Sequence, residues 1–407
     1  MSGVSRRRFL ATTGIGVAGA LAAGTRPLGA LTFPTDRGAF APGAGGAPVP
    51  CYGPHQAGVV TPPQRVLLLA GFDVVSSSRR DLVALLRAWQ MAIERLTVGL
   101  PVGPSDALTS PPADTGETAG QGPARLTITL GFGPSLFDAR FGLGPRRPAA
   151  LADLPAFAGD ALDPAYSGGD LSVQACADRQ IVVEHAIRDL ARIGHGVVAL
   201  RWQRGGFNEP PADNGTPRNL LGFKDGTANL DATDDARMRR NVWVAPSDGP
   251  AWMVGGTYQV YRRVNLHIEE WDDSDLDEQQ DTFGRYKASG APYGGRNEFD
   301  PVNVAALPAD SHVRLANPRI GQASEDERIL RRGYNFHDGY DGASQTYNSG
   351  LAFIAYQRDP RRQFVTIQQR LAANDALNEY AVHTASGIFA VPPGVIPGDF
   401  VGSRLFA

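Results

Sequence analysis

Between Arg65 and Val74 the chain reads RVLLLAGFDV, a short continuous apolar run bounded by turn residues, which predicts a buried strand. The pattern then changes period. In RRDLVALLRAWQMAIERL, Arg79 to Leu96, the apolar positions Leu82, Leu85, Leu86, Trp89 and Ile93 fall on one helical face. ARLTITLGFG (Ala124–Gly133) and DLSVQACAD (Asp170–Asp178) predict two further strands. RQIVVEHAIRDLARI (Arg179–Ile193) predicts a second amphipathic helix and GVVALRWQRGGF (Gly196–Phe207) a fourth strand. The order β-α-β-β-α-β is that of a ferredoxin-like unit.

A polar stretch rich in Pro, Asn and Gly, NEPPADNGTPRN (Asn208–Asn219), reads as a connector, after which the order recurs. Gly255–Asp273 supplies a strand and the start of a helix, Ser311–Arg319 a short element, Gly350–Ala372 a strand then a helix, and Ser386–Gly394 a closing strand. LSVQACADRQIVVEHAIRDLARI and LAFIAYQRDPRRQFVTIQQRLAA share an apolar strand, a polar break and an amphipathic helix, as an internal duplication would. The expected fold is therefore α+β: two ferredoxin-like (βαββαβ) halves with their sheets packed face to face. The expected boundaries are 61–218 for the N-terminal half and 219–407 for the C-terminal half, with an extended, Pro/Gly-rich lead-in over 31–60. Long loops such as Ala288–Asp310 are expected to line whatever lies between the halves.

The first 30 residues stand apart. Ser5, Arg6, Arg7, Phe9 and Leu10 match the twin-arginine export pattern, and the mild apolar run that follows is short for a membrane span. The expectation is export as a folded protein to a periplasm, a cell wall or the medium, with no membrane span in the mature chain. That route raises the prior for an enzyme that carries a cofactor. Length (407 residues) and the balance of 42% hydrophobic to 20% charged residues are those of a soluble globular protein. A net charge of −3 without a basic block beyond the N-terminus gives nucleic acid no electrostatic footing. Cys51 and Cys176, the two cysteines, suffice for one disulfide, and their spacing excludes zinc ribbons, iron–sulfur clusters and covalent CxxCH haem attachment.

The seven histidines form no HxxxH or HxH pair. His55, His185, His195, His267 and His337 read as structural or surface groups. His312 stands in ADSHVRLANPR, followed by ILRRGYNF with Arg331 and Arg332, and upstream NLLGFKDGTANL sets Lys224 and Asp225 between Gly222 and Gly226. Asp225 reads either as a turn carboxylate or as an acid held in a closed pocket. A non-covalent haem needs an axial imidazole, cations for its propionates and an apolar slot. A peroxidase also needs a proton-transfer group and a cation where charge develops. His312, Asp225 and Arg331 are candidates for those roles.

GFKDGT resembles the GxxDG signature of dye-decolourising peroxidases. DSHVRLANPR followed by LRRGYNF resembles the haem-ligand and distal-arginine segments of the same family. HQAGVVTPPQ (His55–Gln64), DTFGRYKASGAP (Asp281–Pro292) and GLAFIAYQRDP (Gly350–Pro360) match in order, so the resemblance spans nearly all of the chain after the signal. It is nearest to the exported branch that includes deferrochelatases. The resemblance implies one haem b per chain between the ferredoxin-like halves, with its pocket built by the C-terminal half. His312 would be the iron ligand, Asp225 the distal acid and Arg331 the distal arginine, the choice over Arg332 resting on the match at LRRG. Gly226, Thr227 and Ala228 would be haem-contacting, Arg285 propionate-binding, and Asn317, Pro318 and Arg319 further contacts. Glu379 would accept a hydrogen bond from His312, with Asp375 as the rival.

The implied activity is reduction of hydrogen peroxide and oxidation of dye-like or phenolic substrates through an oxoferryl intermediate. Release of iron from haem with the porphyrin intact, and non-catalytic haem carriage, are the alternatives. The implied partners are hydrogen peroxide and a small aromatic reductant, with iron-uptake proteins and a homodimer as further candidates.

Overall fold

The computed structural model describes residues 46–104, 108–212, 215–342 and 345–407. The export signal expected over 1–30, and the lead-in as far as residue 45, lie outside the described residues. In the N-terminal half, β1 (Val66–Val74), α1 (Arg79–Leu96), β2 (Thr127–Phe132), β3 (Leu171–Ala177), α2 (Gln180–Ile193) and β4 (Val198–Phe207) follow the predicted order. Helix α1 starts where Ser78 accepts a hydrogen bond from the Asp81 amide, and its stripe from Leu82 to Ile93 is buried. Trp89 donates through Nε1 to the Leu190 carbonyl at 2.8 Å, fixing α1 against α2.

The C-terminal half contains α3 (Asp235–Asn241), β5 (Thr257–Leu266), α4 (Ile268–Asp273), α5 (Leu276–Phe283), α6 (His312–Ala316), α7 (Gly321–Asp326), β6 (Leu330–Arg331), β7 (Tyr334–Asp341), β8 (Thr346–Gln357), α8 (Phe364–Asn374) and β9 (Ala381–Val391). The Ser311–Arg319 element is thus a short helix. Strand β7 has little apolar pattern after Phe336, because its remaining residues are largely exposed, and sequence periodicity does not reveal it.

Both halves have the same strand order. The N-terminal strands run β2-β3-β1-β4, and the C-terminal strands β7-β8-β5-β9. The inner faces pack on one another, with Leu67, Leu69, Cys176 and Trp202 meeting Tyr261, Ile354, Tyr356 and Phe389. Within that apolar interior Tyr356 donates to Gln174 Oε1 at 2.8 Å, and Gln259 Nε2 donates to the same oxygen at 3.2 Å. The sheets are also joined at both edges, by Phe132 with Ala390 and by Phe207 with Asn335, so face-to-face packing becomes a closed antiparallel barrel. Cys51 and Cys176 are free thiols. No helix among the described residues is long and apolar enough to cross a membrane.

Candidate functional site

Side chains alternate across a strand, so what does not face the barrel faces outward. Tyr261, Ile354 and Phe389 point in, whereas Arg262 and Val264 of β5, Leu351 and Phe353 of β8 and His383 of β9 line a cavity of about 260 Å³ on the outer face of the C-terminal sheet. Helices α6 and α8 close it, with Phe364, Ile367 and Leu371 as an apolar wall. On the corresponding face of the N-terminal sheet, α1 and α2 pack directly against the strands. In the C-terminal half the first crossover, between β5 and β6, is broken into short helices and loops, and the cavity occupies the room a full helix would have filled. The expectation of a pocket between the halves is corrected accordingly: that space is packed core.

His312 opens α6. Its Nδ1 lies 2.7 Å from Asp375 Oδ2, Nε2 has no partner among the described residues, and 28% of its side chain is open, to the cavity. Burial pushes the imidazole pKa down, but the charge and hydrogen bond of Asp375 outweigh burial, and it ends above its ordinary value. Asp375 is itself held, since its other oxygen accepts from the Leu377 amide at 3.0 Å. The partner of His312 is therefore Asp375 and not Glu379. Asp375 caps the end of α8, which lies beside α6, while Glu379 has turned out to solvent.

The GFKDGT loop explains its own composition. Asn219 Oδ1 accepts from the amides of Leu221 and Phe223, forming a tight turn in which Gly222 takes φ +84°. Gly226 takes φ +126° and leaves its backbone bare on the cavity wall. The two charges between the glycines diverge. Lys224 pairs with Glu298, which also accepts from Thr227 Oγ1 at 2.7 Å, while Asp225 turns to the cavity and accepts from Arg331 Nη1 at 3.0 Å. Burial would raise the Glu298 carboxyl, yet Lys224 and the hydroxyls of Thr216 and Thr227 hold it below the usual carboxylate range.

Arg331 and Arg332 separate because neighbours on a strand face opposite ways. Arg332 is buried toward the barrel and donates to the Thr61 carbonyl at 2.5 Å and to Gln64, whereas Arg331 reaches Asp225. The backbone of Arg331 is gripped by Asn229, whose Nδ2 donates to the Arg331 carbonyl at 2.7 Å and whose Oδ1 accepts from the Arg331 amide at 2.8 Å. Sequence reasoning misses Asn229, since its partner is a backbone far along the chain. It also misses the Lys224–Glu298 latch.

Gly226, Thr227, Ala228, Arg285, Asn317 and Arg319 line the same cavity as His312, Asp225 and Arg331, while Pro318 does not. Cations are crowded here. Burial pushes the Arg285 guanidinium below its ordinary pKa, with Glu298 opposing and Arg331 adding to the fall. Burial and then the charges of Arg285 and Arg328 do the same to Arg319. Crowded buried cations favour an anionic ligand. An apolar slot, an available imidazole nitrogen and a cationic rim together suit a flat cofactor with a metal centre and acidic edges, the description of haem b.

Two family models cover the chain: Dyp-type peroxidase, N-terminal, over residues 56–208, and Dyp-type peroxidase, C-terminal, over residues 216–396. A protein named deferrochelatase from Escherichia coli (strain K12) is 42% identical over 418 aligned positions, covering 98% of this chain and 96% of that relative. Among solved structures, DtpA from Streptomyces lividans, described as an X-ray generated oxyferrous complex, has a TM-score of 0.83 and 37% identity, covering 89% of this chain and 98% of its own. A DyP-type peroxidase from Cellulomonas bogoriensis has a TM-score of 0.80 and 39% identity over 89% of this chain and 99% of its own. With both family models matched in order and relatives this similar along almost the whole length, the chain belongs to the Dyp-type peroxidase family.

Proposed function

We propose that the protein is a haem b-dependent peroxidase that reduces hydrogen peroxide at the expense of a small aromatic donor, exported under the direction of residues 1–30. The observation that carries this reading is the His312–Asp375 pair opening on the same cavity as the Asp225–Arg331 pair. His312 Nε2 would hold the iron, and Asp375 on Nδ1 fixes the tautomer and makes the imidazole a stronger donor. Arg285 and Arg319 would receive the propionates. Bound there, haem would supply the redox chemistry that links peroxide to the donor. The chain's own part is proton handling. Asp225 Oδ1 is engaged by Arg331, and Oδ2, with no partner among the described residues, can take the proton from one peroxide oxygen and return it to the other. Arg331 holds a fixed positive charge beside the departing oxygen.

A second reading is favoured by the relatives named deferrochelatase: release of iron with the porphyrin left intact, in concert with iron-uptake proteins. One experiment separates the two. The haem-loaded protein is mixed with one equivalent of hydrogen peroxide and followed by absorption and by porphyrin fluorescence. The peroxidase reading expects a prompt change in the Soret band that slows by at least about a hundredfold in Asp225→Asn and Arg331→Leu, with no free porphyrin. A Soret band indifferent to peroxide, with metal-free porphyrin accumulating, supports the second reading. Loss of histidine-ligated haem in His312→Ala is expected in both. A wild-type protein that takes up no haem overturns both.

A further inference from the structure

Among the described residues, one group of His, Asp, Glu and Cys side chains has the arrangement of a metal site, and it lies in the other half of the molecule. Asp114, in the loop between α1 and β2, meets His185 and Asp189, one turn apart on α2. All three are buried, Asp189 completely and His185 to within 2%. His185 Nε2 lies 3.4 Å from Asp114 Oδ2 and 3.4 Å from Asp189 Oδ2. Among the described residues, neither Nε2 nor Asp189 Oδ2 has a hydrogen-bond partner.

The other ring nitrogen sets the chemistry. His185 Nδ1 is 2.9 Å from Glu117 Oε2 and 3.1 Å from Thr115 Oγ1. An ionised carboxylate can only accept, so Nδ1 carries the proton, and in the neutral ring Nε2 then presents its lone pair to two carboxylate oxygens. Three electron-rich atoms buried together repel unless a cation lies between them. A carboxylate–histidine pair of this kind is the usual support behind a metal-bound imidazole. The spacing selects the cation. Tetrahedral coordination with bonds of about 2.0–2.1 Å places ligand atoms about 3.3 Å apart, close to both observed contacts, and zinc takes N and O donors in that geometry.

We propose that Asp114, His185 and Asp189 bind a divalent cation of the zinc class, fastening the loop that carries Asp114 to α2. Three protein ligands leave one tetrahedral position for a solvent molecule. The remaining bonds hold the carboxylates in place: Asp114 Oδ1 accepts from the Gly116 amide at 2.8 Å, Asp114 Oδ2 from Val102 at 2.8 Å and Asp189 Oδ1 from Thr115 at 3.2 Å. Arg192 faces the far oxygen of Asp189 at 3.6 Å, and Arg188 engages Glu117, so neither occupies the centre. All three ligands are buried and remote in sequence from His312, which assigns the site to holding structure rather than to turnover.

The test uses the full-length protein, haem-loaded except in His312→Ala, stripped with a chelator, given zinc, desalted and analysed for metal. One zinc per chain is expected in the wild type and in His312→Ala, with at least about a tenfold loss of affinity in His185→Gln and Asp189→Asn. Wild-type protein that retains no more zinc than those variants overturns the proposal. Zinc X-ray absorption on the unsubstituted protein gives an answer even where a variant fails to fold. A shell of one imidazole with oxygen donors near about 2.0 Å supports the site, and a shell with sulfur or several imidazoles overturns it.

Discussion

Asn229→Ala tests how Arg331, the proposed distal arginine, is held. Strand β6 is only two residues long, and one of its edges pairs with β8 through Leu330–Tyr356 and Arg331–Ala355. Among the described residues the other edge meets no strand at Arg331; the Asn229 carboxamide stands in for one, donating at 2.7 Å and accepting at 2.8 Å. Alanine removes both bonds. At about 1 kcal/mol net for each, the fold should lose about 2 kcal/mol, rising toward 3 if water does not reach the freed amide and carbonyl. The Arg331 guanidinium then loses its fixed position 3.0 Å from Asp225, and the second-order rate with hydrogen peroxide should fall about tenfold, less than on removing the guanidinium itself. Urea unfolding gives the first number and stopped-flow absorption of the haem-loaded protein the second. If Asn229→Ala unfolds within about 0.3 kcal/mol of wild type and reacts with peroxide at the wild-type rate, the carboxamide is not what sets Arg331, and this reasoning fails.

Other substitutions probe the same construction. Asp375→Asn keeps a hydrogen-bond acceptor for His312 but removes the charge, and should raise the haem reduction potential and lower peroxidase activity about tenfold or more, while Glu379→Gln leaves both unchanged; spectroelectrochemistry reads the difference. Gly222→Ala places a side chain at φ +84° and against Lys287, which should cost about 1–2 kcal/mol in thermal unfolding. His383 is held neutral: burial first, then repulsion from Arg262, pushes its pKa down to about 3, so its 3.8 Å approach to Asp160 is not an ion pair. Because the unfolded chain takes up this proton below about 6.5 and the folded chain only near 3, stability should drop by on the order of a few kcal/mol as pH falls through that window. His383→Gln should flatten that pH dependence, measured by denaturant unfolding of the haem-free protein.

What was legible in the chain follows the range of the interactions involved. Helix α1 shows its boundaries and buried face directly, because an 18-residue amphipathic stripe is a local signal. The repeated strand–helix pairs β3–α2 and β8–α8 were visible for the same reason, whereas β7, largely exposed, was not. Closure into a barrel was not, since each seam rests on one residue pair brought together by the whole fold. At the site, residue types pointed to His312, Asp225 and Arg331, but only the placement of α8 beside α6 decides between Asp375 and Glu379. His185 reads in sequence as one more structural histidine. Its partner on the next turn is visible, but Asp114 and Glu117 approach from a distant loop. Physical pattern also says nothing of Arg331 against Arg332 until the facing of β6 is known.

The closure has a consequence for how the protein is made. The outer edge of β4 waits for Asn335 and that of β2 for Ala390, which leave the ribosome about 130 and about 260 residues later, or roughly 6 to 50 s at typical rates of synthesis. Until those residues arrive the first half carries first two and then one bare strand edge able to pair with a neighbouring nascent chain. Completion therefore depends on the last strand to be translated, and a stop codon shortly before Val391 would leave the β2–β9 seam open. Such a chain should draw on holding chaperones until its final strand is delivered, and its truncated products should aggregate rather than persist as a working half.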